Sequence, residues 1–163
     1  MPVKMLSFLL ALLAFPALSG CGWQLQGTAK LPEVMAVTYV ESTDRYSDFS
    51  RALREDLASS GAHVVADEAL ATATVRILQD KAGQRVLSVS ARNTPAEYEV
   101  FYQIEYSVRT PKGELISPQK LELKRDYTYD ETKMLAKERE QAVLQEALAR
   151  DLSGLVLRRL RSL

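Results

Sequence analysis

Between residues 97 and 109 the side chains alternate in character. Tyr98, Val100, Tyr102, Ile104, Tyr106 and Val108 interleave with Glu97, Glu99, Phe101, Gln103, Glu105, Ser107 and Arg109. A period of two over that length specifies a strand with one covered and one polar face. Similar segments flank it. TATVRILQ runs through an expected bulge near Lys81–Gln84 into VLSVSA, where Leu87, Val89 and Ala91 share one face. Further on, Leu121, Leu123, Arg125, Tyr127 and Tyr129 interleave with Lys120, Glu122, Lys124, Asp126 and Thr128. RNTP (92–95) and TPKG (110–113) supply turn residues, so the three segments form an antiparallel meander.

A meander covered on one face needs a second layer, and two helices provide it. Ser47 is placed to cap the first and Asp48 to complement its positive end. Phe49, Ala52, Leu53 and Leu57 form its apolar stripe, and Gly61 can end it in a left-handed cap. The second spans about Lys133 to Arg161, with Leu144, Leu148 and Leu155 flanked by Val143, Ala147, Leu152 and Val156. Short apolar runs at Val34–Val40 and His63–Ala66 bracket the first helix as a parallel strand–helix–strand unit. The expected fold is α+β: two helices packed on one face of a four- or five-stranded mixed, mostly antiparallel sheet.

Several chemistries are excluded by residue supply. His63 is the one histidine and Cys21 the one cysteine, which removes Cys/His metal sites, His triads and Cys–His dyads. No carboxylate pair stands in an acid/base arrangement, and Gly83 and Gly113 are isolated turn glycines rather than a phosphate loop. No enzyme, metal or cofactor is expected. Outside residues 1–20, 20 Lys and Arg face 21 Asp and Glu, so no global field attracts nucleic acid.

Cys21 has another explanation. Lys4 is followed by an apolar run from Met5 to Leu18, too short to span a bilayer comfortably but suited to a secretory signal. Leu18-Ser19-Gly20-Cys21 then resembles a bacterial lipobox, in which the thiol is diacylglycerated and the chain is cut before it. Two or three acyl chains make a stable anchor. The expected organisation is a signal peptide over 1–20, a lipidated tether over 21–33 and one domain over 34–163. Gly22 is not the Asp associated with inner-membrane retention. The sorting rules therefore imply the outer membrane, facing the periplasm of a Gram-negative cell.

Up-down-up topology brings the Arg92 turn beside the end of the third long strand, where the second helix begins. Arg92 and Lys137 then share one end of the domain with free helical N–H groups. Lys137 continues the helix's apolar stripe. Either it snorkels past the sheet, or it meets a phosphate beside the planar fork of Arg92. Phe101 stands among polar neighbours, either as an isolated exposed aromatic or as an anchor for a partner.

CGWQLQG, VESTDRYSDFSRALREDL, ARNTPAEYEV and MLAKEREQAVLQEAL, in this order, resemble the LptE family of lipopolysaccharide-assembly lipoproteins. The resemblance implies a non-enzymatic plug and assembly partner of the LptD outer-membrane β-barrel, paired 1:1, that binds lipopolysaccharide during its transport to the cell surface. The family's lipopolysaccharide-contacting basic positions match Arg92 and Lys137. A rival expectation is a lipoprotein that regulates a peptidoglycan synthase from the outer membrane. Such proteins carry long linkers, whereas here about a dozen residues separate Cys21 from the first strand.

Overall fold

The computed structural model describes residues 30–128 and 134–163, with side chains over 30–127 and 139–163. Its elements are β1 (Val37–Ser42), α1 (Asp48–Ser59), β2 (His63–Val65), β3 (Ala73–Val89), β4 (Pro95–Thr110), β5 (Gly113–Thr128) and α2 (Met134–Leu160). The sheet order is β2-β1-β3-β4-β5. β1 runs parallel to both neighbours, and β3, β4 and β5 form the antiparallel meander. This is the α+β arrangement that the alternation required.

The first helix forms as its sequence dictates. Ser47 Oγ accepts the Ser50 N–H at 3.1 Å, which satisfies one of the donors left over at a helix start. Gly61 takes φ +92°. Around it, Ala62 N–H reaches Leu57 O and Gly61 N–H reaches Ala58 O, the paired bonds of a glycine-terminated helix. Phe49, Ala52, Leu53 and Leu57 are all buried.

The core lies between the helices and the lower half of the sheet. Val40, Val75 and Ile77 meet Val100, Tyr102, Ile104, Tyr106 and Val108, with Leu148, Ala149, Leu152, Val156 and Leu160 above them. The buried side of α2 is therefore turned from the expected line. Leu144 and Leu155 are only partly covered and Val143 is exposed, because α2 packs against α1 as well as the sheet. Ser153 Oγ donates to Asp56 Oδ2 at 2.6 Å across that helix pair. Arg125 ties β5 to Asp151 of α2 at 2.9 Å.

Two expectations about strands need correction. Met35 belongs to a short 3-10 turn, Glu33–Met35, rather than to the first strand, although it is fully buried. No bulge occurs at Lys81–Gln84, where register with β4 is continuous from Gln79 to Val86. The irregularities fall instead between Ile77 and Gln79 and around Val86, Ser88 and Val89. The first coincides with the end of β1, whose last partner on β3 is Ile77. A bulge bends its strand. From Leu78 onward the β1-side edge of β3 has no strand partner among the described residues. The second irregularity disturbs the face expected for Leu87, Val89 and Ala91. All three are exposed.

Candidate functional site

Register places the parts of the predicted basic site. Val89 pairs with Pro95 at the top of the β3–β4 hairpin, and Glu97 pairs with Thr128 at the end of β5. α2 begins at Met134, a few residues further on. The Arg92 turn, the end of β5 and the start of α2 thus share one end of the domain. Lys137 lies in the first turn of α2, but its side chain is outside the described residues, so the pair's geometry is not described. Cys21 also lies outside them.

The turn that presents Arg92 is firmly built. Ser90 N–H donates to Thr94 O at 2.7 Å and Asn93 N–H to Ser90 O at 2.9 Å. Ser90 Oγ accepts the Arg92 N–H at 3.2 Å and lies 2.7 Å from Thr94 Oγ1. Asn93 adopts φ +59°, a conformation asparagine tolerates better than most residues. Arg92 is exposed. Its guanidinium makes no ion pair among the described residues, leaving its donors available to an anion.

Phe101 has company on the open face of the sheet. It pairs with Gly83, and its ring fills the space that a side chain there would occupy: a Cβ on Gly83 would sit 2.7 Å from Cζ of Phe101. The Arg85 guanidinium stands 5.5 Å from the ring centroid. Around this aromatic lies a neutral quartet. Arg85 pairs with Glu99, whose side chain is 12% exposed, and Lys124 lies 3.7 Å from Glu99 and 3.5 Å from Glu122. Phe101 is therefore half-buried within its own sheet.

Sequence reading missed the polar device on the opposite face. Asp80 occupies the core-facing row opposite Ile104. It accepts from Ser47 Oγ and, at 2.8 Å, from the Tyr102 hydroxyl. That hydroxyl also accepts the Phe49 N–H at 3.2 Å. Burial, reinforced by its bond to Asp80, pushes the Tyr102 phenol far above the usual tyrosine range. The signal was a carboxylate within a core-facing row, which becomes visible only once register is known. Among the described residues no group of carboxylates, His or Cys is arranged to hold a metal, and no helix is long and apolar enough to cross a membrane.

The family model LptE, described as lipopolysaccharide-assembly, matches residues 35–160. The chain belongs to this family. An LPS-assembly lipoprotein LptE from Yersinia enterocolitica is 29% identical over 149 residues, covering 91% of this chain and 72% of its own length. The crystal structure of rare lipoprotein B from Shewanella oneidensis aligns with TM-score 0.68 and 29% identity over 77% of this chain and 94% of that one. The solution structure of an uncharacterized lipoprotein B from Nitrosomonas europaea shares the fold. It aligns with TM-score 0.70 and 24% identity over 84% of this chain and 88% of that one. The family is one of lipopolysaccharide assembly.

Proposed function

We propose that this protein is an outer-membrane lipoprotein, anchored through acyl chains on Cys21, that pairs 1:1 with the LptD β-barrel. It acts there as plug and assembly partner and binds lipopolysaccharide in transit. It performs no chemistry and needs no cofactor; its work is equilibrium binding. The observation that supports the reading is the exposed Arg92 turn at the end of the domain where β5 finishes, with the α2 start that carries Lys137 only a few residues further along the chain. A planar guanidinium fork, an ammonium and helical N–H donors at one place suit a phosphorylated saccharide.

Two further features support the plug. Lys30, where the described chain starts, lines a cleft with Ser59–Ala62, at the opposite end from Arg92. The 27-residue α2 makes that separation about 40 Å. A domain held by one end at the membrane can thus present the other end within a barrel, at an effective concentration raised by the tether. The open face of the sheet carries matched charges around Phe101, and barrel lumens are polar. A neutral mosaic of that kind can lie against such a wall, with Phe101 as a contact at its centre.

Charge reversal at both Arg92 and Lys137 tests the site. Lipopolysaccharide affinity should fall by at least about ten-fold, while LptD still co-purifies in equal amount from solubilised membranes. Unchanged affinity would remove the site. Recovery of a cell-wall synthase instead of a barrel would replace the partner assignment.

A further inference from the structure

The same hairpin that carries Arg92 exposes three branched aliphatic side chains in four residues. Val86 and Leu87 are each 49% exposed and Val89 is 58% exposed. Other large apolar side chains open to solvent among the described residues are single and scattered, such as Tyr46, Leu70 and Leu115. In a regular strand Val86 would face one way and Leu87 with Val89 the other. The two register irregularities around Ser88 break that sorting, and none of the three enters the core. Ser88, the polar member of the run, is occupied by a 2.7 Å bond to Glu97.

Clustered apolar surface of this kind marks a contact site. Three residues beyond it stands Arg92, exposed and without an ion pair among the described residues. Hydrocarbon and positive charge adjacent on one rigid turn complement a ligand that joins hydrocarbon to negative charge. We infer that the β3–β4 hairpin tip reads both halves of an anionic glycolipid, with Val86, Leu87 and Val89 receiving acyl chain while Arg92 meets phosphate. This inference rests on the lipopolysaccharide-binding reading above and extends it from a phosphate site to an amphiphile site. Position supports the lipid over a protein partner: the trio continues directly into the phosphate-facing turn, at the end farthest from the tether.

The test compares intact lipopolysaccharide with fully deacylated lipopolysaccharide of the same chemotype, binding to the full-length acylated protein in detergent. The unsubstituted protein should bind the intact form at least about ten-fold more tightly. Leu87→Asn with Val89→Asn should remove most of that preference and leave the deacylated form's affinity unchanged. Leu87→Met with Val89→Ile should preserve it, which separates lost hydrophobicity from a disturbed hairpin. Arg92→Glu should weaken both ligands. Equal affinity of the unsubstituted protein for the two forms, or an Asn pair that leaves the preference intact, overturns the inference while the phosphate site stands. An Asn pair that instead reduces LptD co-purification, with lipopolysaccharide binding unchanged, overturns it in favour of a protein covering the trio. Failure of both forms to bind removes the underlying reading as well.

Discussion

The lower and upper halves of the same three strands have opposite fates. Below, Ala73–Ile77, Tyr102–Val108 and Ile116 are closed under both helices and flanked by β1. Above, β3 leaves β1 at Leu78; burial continues on β4 as far as Val100, opposite Gln84, and beyond it Val86, Leu87 and Val89 stay open toward the hairpin tip. Alternation continues through both halves of β4, so strand pattern alone does not separate them. What separates them is the second layer: among the described side chains of α2, which start at Arg139, the first buried one is Leu148. One half supplies stability, and the other is left available for contact.

The sharpest way to break this contrast is to cut into each half and compare. Leu152→Ala or Ile104→Ala, both fully buried, should each cost about 2–5 kcal/mol in urea denaturation. Leu87→Ala should cost no more than about 0.5 kcal/mol. Similar costs for the two would erase the distinction. Next in size is Gly83→Val, which forces Phe101 off its seat. Such crowding costs about 1–3 kcal/mol, read as a lower unfolding midpoint, and Phe101→Ala in the same chain should recover part of it.

Smaller effects come from the polar device where the halves meet. Ser47→Ala removes the α1 cap and should cost about 1 kcal/mol by the same measurement. The neighbouring Tyr102 adds a pH signature. Its folded pKa is raised, so above about pH 10 the unfolded chain gives up this proton while the folded one retains it. Stability is therefore intact below that pH and falls as pH rises toward the folded pKa. Tyr102→Phe should flatten that alkaline decline. Smallest of all, Lys124→Ala in the exposed part of the quartet should change stability by less than about 1 kcal/mol.

Much of this architecture was legible in the chain. Ser47, Asp48 and Gly61 mark α1 from end to end, and Tyr102 and Tyr106 of β4 are buried as their spacing requires. What period could not convey was tertiary competition. α2 shares its apolar side between α1 and the sheet, so Val143 is left outside while Ala149 and Ser153 are buried. Likewise, Gly83 read as a local irregularity when its role is to seat a ring from the neighbouring strand. For the candidate site, turn chemistry and topology located Arg92. Leu87, Val89 and Ala91 were read as one face of a regular strand, and the irregularities around Ser88 that undo that face have no compositional mark of their own.

The edge of β3 that has no strand partner among the described residues has a consequence for the protein before it meets any partner. A bare edge invites another chain to add to it. Between Leu78 and Val89 the one acid is Asp80, already engaged by Ser47 and Tyr102, whereas Lys81 is exposed and Arg85, although paired with Glu99, keeps about half of its side chain open to solvent. Two copies that zipped together antiparallel about Gly83 would set Lys81 of each against Arg85 of the other, and like charges facing across a ladder repel. In that register the seam discourages its own twin while remaining open to a stranger with the opposite sign.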